Sequence, residues 1–321
     1  MSKLLLLFLL VLSTSSFAGL QEGLKAYQAE DYSTAIKHLL PFAKKGNADA
    51  QRKVGWMYDN GKGVSQDRTQ AILWYRKAAE QGNARAQYNL GVAYLNGDGV
   101  SQDYDEAADW FRKAAEQGFI DAQFNLANMY HRGHGVPQDY VRAEGLFRKV
   151  ADKGDLGAQV QMGVLYENGH GVTQDYIQAM YWYRKAAEQG FGEGQASLGV
   201  MYDWGMGVRQ DYAKAAIWYR KAAEQGVVRA QNNLGRLYQN GWGVPQDYVQ
   251  AIRWYRKAAD QGFAIAKQNL ASLYLSGFFG GGSTGGDDET PAYSETWVPA
   301  QDSAGQLIPG ESTLIQVPIV R

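Results

Sequence analysis

Cysteine is absent from this sequence. That absence excludes disulfide staples, a thiol nucleophile, zinc sites built on Cys and a lipid attached to an N-terminal Cys, so stability must come from packing alone. A surplus of either charge is missing as well. The 32 basic side chains meet 33 acidic ones for a formal net charge of −1, which leaves no overall field to attract nucleic acid or anionic lipid. Long apolar runs are also lacking. The run from Leu4 to Leu12 falls well short of the roughly 20 residues that a membrane span needs, and no later stretch is longer. With Lys3 before it and Ser16-Phe17-Ala18 ahead of Gly19, it has the charged, apolar and small-residue layout of a secretory signal. Residues 1–18 are expected to be removed, leaving an exported chain, periplasmic or secreted, with no transmembrane segment.

What the sequence does have is apolar mass, with 45% hydrophobic and 13% aromatic residues, and repetition. The phrase WYRKAAEQG stands at 74–82, 182–190 and 218–226, with WFRKAAEQG at 110–118 and WYRKAADQG at 254–262. Laid out in rows of 36 from Asn47, the chain gives six full rows ending at Gly82, Gly118, Gly154, Gly190, Gly226 and Gly262, the sign of a solenoid. In the first half of each row one column reads Ala50, Ala86, Ala122, Ala158, Gly194, Ala230 and Ala266. A second, four residues on, reads Val54, Leu90, Leu126, Met162, Leu198, Leu234 and Leu270, and a third, four further on, is always Tyr, from Tyr58 to Tyr274. Columns four apart line one helical face. The residue after the aliphatic one is always Gly or Ala, which lets a neighbouring helix come close.

Paired glycines such as Gly61 and Gly63 then supply the positive φ that ends a helix and turns the chain. Asp67, Asp103, Asp139, Asp175, Asp211 and Asp247 precede a second helical segment as N-caps, four of them with Gln or Glu three residues on in the manner of a capping box. Each row therefore reads as two antiparallel helices that cannot bury their aromatic faces alone. The prediction is an all-α, α/α superhelical solenoid of helix-turn-helix repeats. Residues 19–46 form a shorter capping hairpin and residues 47–276 form six repeats plus a terminal capping helix. Residues 277–321 break the period with a Gly-rich acidic stretch that reads as a flexible tail. The tail's end, STLIQVPIV, is rich in β-branched residues and suited to adding a strand to a partner or lying in the chain's own groove.

The pattern A-x-x-x-L-G-x-x-Y, then G-x-G-V, then D-Y-x-x-A-x-x-W-Y-x-K-A-A-x-x-G resembles the Sel-one-like repeat family, relatives of the tetratricopeptide repeats, over about residues 20–276. The resemblance implies a right-handed superhelix and an adaptor role: regulating signalling partners, helping envelope processes, or binding host proteins. Some secreted members carry paired cysteines in each repeat and have a β-lactamase-like label. This chain has no Cys and no Ser-x-x-Lys, so that label does not carry over. Row three also departs from the pattern, with Leu146 for Trp and Glu144 where other rows have Ala, Ile or Met, and a softer joint is expected there.

Function is expected in the columns that do not repeat: the third, sixth, tenth and thirteenth positions of each first helix, which share one face. By resemblance to tetratricopeptide arrays these line a concave groove, and Trp56, Tyr88, Val92, Leu95, Phe124, Asn128, Val160 and Val164 would form its mostly apolar N-terminal half. Asn232 and Arg236, with Arg229, would make the other end polar and basic. At 8–10 Å between helices the groove would run roughly 50 Å. The other reading is that these side chains pack against neighbouring helices. His134 and His170 share a loop column with Lys62, Asp98, Met206 and Trp242, which reads as solvent-exposed drift, and two imidazoles alone bind zinc poorly; no metal and no cofactor is expected. Trp204 and Trp242 are either a second contact edge or local packing. The expected function is a non-enzymatic exported scaffold that binds a protein or peptide, not nucleic acid. The alternative is a cell-envelope hydrolase acting on β-lactam or cell-wall substrates.

Overall fold

The computed structural model describes residues 18–275, 293–301 and 307–318. Helix α1 is seen over residues 18–28 and pairs with α2 (Tyr32–Lys44). Six helical hairpins follow: α3 (Ala48–Asn60) with α4 (Arg68–Glu80), α5 (Ala84–Asn96) with α6 (Tyr104–Glu116), α7 (Ile120–Arg132) with α8 (Tyr140–Ala151), α9 (Leu156–Asn168) with α10 (Tyr176–Glu188), α11 (Gly192–Trp204) with α12 (Tyr212–Glu224), and α13 (Val228–Asn240) with α14 (Tyr248–Asp260), before a last helix α15 (Ala264–Leu275). From residue 47 to 262 the helices are joined by turns and short loops, and no strand occurs there. The chain divides into two compact units, one of residues up to Leu165 with Gly169–Thr173, the other of Tyr166–Asn168 and residues from Gln174 onward.

The six Asp caps do what their position in the rows dictates. Each accepts from the backbone N–H three residues on, as Asp67 does from Gln70 at 2.9 Å and Asp211 from Lys214 at 2.9 Å, and a cap of this kind is worth about 1 kcal/mol. The Glu of the second capping pair also serves the core: Glu106 Oε2 accepts from Trp110 Nε1 at 3.0 Å. First helices start differently. Asn47, Asn83 and Asp155 cap with their side chains, whereas Phe119, Phe191 and Val227 do not. The N-terminal hairpin saves five residues by turning through Glu30 at φ +59°, directly before the cap Asp31.

The two loop glycines have different duties. Gly61, Gly97, Gly133, Gly205 and Gly241 are left-handed helix caps. The second glycine of each pair is a point of close approach: a Cβ on Gly135 would lie 2.0 Å from the Tyr104 carbonyl oxygen, and one on Gly63 2.3 Å from that of Tyr32. Each loop is thereby seated on the start of the preceding repeat's second helix.

The mid-helix small residue also has a definite neighbour. A Cβ on Gly91 would meet the Phe111 ring at 2.7 Å, and one on Gly199 the Tyr219 ring at 2.6 Å. The aromatic ring of the second helix therefore lies flat on the first, and Phe111, Phe147, Tyr183, Tyr219 and Tyr255 are all fully buried. The Trp column packs beside them, each indole under the Lys three residues on, from 3.8 Å for Lys113 over Trp110 to 4.9 Å for Lys185 over Trp182. Leu146 removes that contact in repeat three.

Buried glutamines stitch each repeat to the turn before it. Nε2 of Gln87 donates to Ala79 O at 3.1 Å, and its Oε1 accepts from Gln117 Nε2 at 2.7 Å; Gln51, Gln195 and Gln231 repeat both bonds. Repeat three is again the exception. Gln123 reaches Ala115 O at 3.1 Å, but Lys153 stands where the other rows have Gln, and Gln123 Oε1 is buried without a partner.

The tail holds a structure the sequence reading did not foresee. β1 (Tyr293–Gln301) and β2 (Leu307–Pro318) pair antiparallel, with Trp297 opposite Leu314 and Tyr293 opposite Pro318. The β-branched stretch thus finds its strand partner within its own chain. Residues 1–17 and 276–292, including the expected signal and the acidic Asp287, Asp288 and Glu289, lie outside the described residues.

Candidate functional site

The expected groove residues fall into two groups. Trp56, Tyr88, Val92, Leu95, Phe124, Asn128 and Val164 are half-buried on α3, α5, α7 and α9. Trp56 lies 5.5 Å from the Tyr27 ring and 5.4 Å from that of Tyr32. Tyr88 lies 5.1 Å from Phe119 and 5.8 Å from Phe111, and Phe124 meets Phe147 edge-on at 5.6 Å. Each ring thus spends one side on packing and keeps part of its surface. Asn128 turns its amide back to Phe124 O at 3.0 Å.

Val160, Asn232 and Arg236 are buried, which corrects their place as groove-lining contacts. For Asn232 and Arg236 the reason is pairing across helices. Arg236 on α13 donates to Oδ2 of Asp203 on α11, a residue only 1% exposed, and Tyr219 on α12 donates to the same oxygen at 2.9 Å. Burial pushes the Asp203 carboxyl above its ordinary range although Arg236 and Tyr219 both pull it down. Trp204 and Trp242 flank the guanidinium at 5.9 and 5.1 Å, so both tryptophans are local packing. Asn232 accepts from Asn269 at 2.9 Å. Arg229 pairs with Glu193 at 2.8 Å and donates to Ser197 Oγ at 2.9 Å, beside an open recess of about 490 Å³ lined by Glu193, Val227 and Phe263 among others. The end expected to be polar and basic is largely neutralised by partners inside the unit.

The thirteenth column proves to be an internal one. Its occupants Asp59, Glu167, Asp203 and Gln239 accept from the hydroxyls of Tyr75, Tyr183, Tyr219 and Tyr255. Where that column holds Leu95 or His131, the second helix carries Phe111 or Phe147, which have no hydroxyl. A signal for this was present in the sequence as paired variation between columns.

The loop column containing His134 and His170 is not drift either. His170 stacks on Tyr140 at 4.2 Å with planes 10° apart, His134 on Tyr104 at 5.2 Å, and Trp242 on Tyr212 at 5.2 Å, while Asp98 pairs with Arg68 at 2.6 Å. Each of these four loop tips meets the first residue of the preceding repeat's second helix. His131 lies 5.6 Å from His170, and His131 Nε2 and His170 Nδ1 are buried without partners. Burial holds both imidazoles below their usual range, and His170 and Arg132 push His131 lower still. Among the described residues no three His, Asp or Glu side chains gather as a metal would require, and no helix there is long and apolar enough to cross a membrane.

Successive helical hairpins of 36 residues define an α/α solenoid, the architecture of repeat proteins. The chain belongs to the Sel1 repeat family, whose repeat matches at residues 48–83, 84–119, 120–155, 157–191, 192–227 and 228–263. It is similar to c5321, a protective antigen of uropathogenic Escherichia coli strains displaying an SLR fold, at 37% identity and a TM-score of 0.73 over 87% of this chain and 61% of that one. It therefore spans about three fifths of that antigen's length. It is also similar to a Sel1 repeat protein from Oxalobacter formigenes, at 34% identity and a TM-score of 0.69, over 75% of this chain and 96% of that one. No curated protein matches it. Sel1 repeat proteins are generally protein-interaction scaffolds, typically without catalysis.

Proposed function

We propose that the chain is an exported scaffold that holds a protein or peptide along the first-helix face of its N-terminal repeats. One contrast carries the reading. The ring column Phe111, Phe147, Tyr183, Tyr219 and Tyr255 of the second helices is sealed in the core, whereas Trp56, Tyr88 and Phe124 on the first helices are only half-buried. A row of part-exposed rings on a rigid support suits the docking of an apolar segment. Export rests on the layout of residues 1–18 and places the scaffold in the periplasm or outside the cell; Edman sequencing of the mature chain should start at Gly19. The docking reading is tested by the pair Tyr88→Ala and Phe124→Ala. With helicity retained, the variant should lose the proteins that cross-link to the native chain in intact cells, and an unchanged set of partners would overturn the reading. Among the described residues no arrangement favours the hydrolase.

A further inference from the structure

The first repeat gathers more positive charge than it neutralises. On α3, Asp49 Oδ1 accepts from Arg52 Nη2 at 3.1 Å and from Lys53 Nζ at 3.0 Å, and its Oδ2 from Lys53 at 2.8 Å. Both cations are nearly enclosed, their side chains 11% and 13% exposed. A third cation, Arg85 on α5, is exposed and makes no ion pair among the described residues, yet its charge is felt by Lys53 and by Tyr27. Burial together with Arg52 and Arg85 holds the Lys53 ammonium below its ordinary range, even with Asp49 beside it. Arg52 and Lys53 thus share one carboxylate, and Arg85 adds a third positive charge nearby.

The repeat itself supplies the control. Arg229 occupies the same column as Arg85, four rows later, and it pairs with Glu193, the residue of that column one row before it. The corresponding residue for Arg85 is Asp49, which is already taken by Arg52 and Lys53. The position that is closed at Arg229 is therefore open at Arg85. Beside it, Lys53 sits over the Tyr27 ring at 5.4 Å and Trp56 meets the same ring edge-on, giving an aromatic pair next to an unspent guanidinium.

We propose that Arg85, backed by Arg52 and Lys53, receives a carboxylate of an acidic peptide segment lying across α3 and α5. A guanidinium takes a carboxylate through two parallel hydrogen bonds, and the charges of Arg52 and Lys53 behind it add to the attraction. The inference rests on the docking reading and adds the chemistry of the partner.

The probes are a fluorescein-labelled peptide Phe-Asp-Asp-Glu-Phe and its uncharged twin Phe-Asn-Asn-Gln-Phe, titrated with the whole mature chain and read by anisotropy. The acidic peptide should bind about tenfold more tightly at low salt, with the preference falling below threefold in Arg85→Gln and persisting in Arg209→Gln. Equal affinities, or a preference that Arg85→Gln leaves intact, would overturn the inference. If both twins bind alike and the Tyr88→Ala, Phe124→Ala pair abolishes both, docking stands and carboxylate recognition falls. If the Arg85-dependent preference survives that pair, the cation site stands and the aromatic docking reading falls. Arg85-dependent self-association of the chain in sedimentation velocity would assign the site to the acidic tail of a second copy and overturn the commitment to a separate partner.

Discussion

The hydroxyl of Tyr219 donates to Oδ2 of Asp203 at 2.9 Å, and the same oxygen receives Arg236, so one buried carboxylate oxygen ties three helices together. Tyr219→Phe removes one donor but leaves the ion pair, and a loss of about 1–2 kcal/mol in urea unfolding is expected. Asp203→Ala strands Arg236 in the interior and should cost about 3–5 kcal/mol. Replacing both partners, Asp203→Leu with Arg236→Met, should recover most of that loss, since a buried pair exchanged for apolar residues of similar volume is often neutral.

Gln123 invites a repair. Its Oε1 is buried without a donor, while Gln87 in the preceding repeat receives Gln117 at 2.7 Å. Lys153→Gln should supply the missing donor and raise stability by about 1 kcal/mol, seen as a higher urea midpoint with an unchanged slope.

The second loop glycine should tolerate substitution less well than the glycine that ends a repeat. Gly118 has φ +82° with nothing near its missing side chain, so Gly118→Ala meets only backbone strain of about 1–2 kcal/mol. Gly135→Ala adds a collision with the Tyr104 carbonyl at 2.0 Å and should cost more than Gly118→Ala by calorimetry, with faster hydrogen exchange at residues 133–138.

Acid should loosen the first unit at one place. Burial depresses both His131 and His170, and His170 and Arg132 depress His131 further. The unfolded imidazole, near pH 6.5, therefore takes a proton more readily than the folded one. Their contribution to stability is full above that value and is lost as pH falls from it towards the lower values of the folded imidazoles. The thermal midpoint should drop between pH 7 and 5.5, with amide exchange rising at residues 169–173, and His131→Phe with His170→Phe should flatten that drop. An equal drop in the double variant would contradict this account.

Much of this architecture was legible because each column of the repeat has its own chemistry. Asp at the start of every second helix, Gly or Ala opposite the buried ring and Gly after every helix follow from caps, close approach and positive φ, and these are local facts. The groove was harder to read. A helical period tells which residues share a face but not how far the next helix covers it, so Arg236 was placed outside although Asp203, 33 positions away, draws it inward. The hydroxyl acceptors at Asp59, Glu167, Asp203 and Gln239 escaped a reading of columns one at a time, because their signal is the exchange of Tyr for Phe in a different column. The tail hairpin is hard to read because YSETWVPAQ at residues 293–301 has no clean alternation and carries Pro299, which argues against a strand.

The loop tips that rest on the preceding hairpin differ in kind from joint to joint: a salt link at Asp98 and Arg68, an imidazole on a phenol at His170 and Tyr140, an indole on a phenol at Trp242 and Tyr212. Ionic strength weakens the first, protonation the second, and neither reaches the third. A chain written almost entirely in one refrain therefore has loop-tip contacts that answer separately to the surrounding solution, salt acting on one and acid on another.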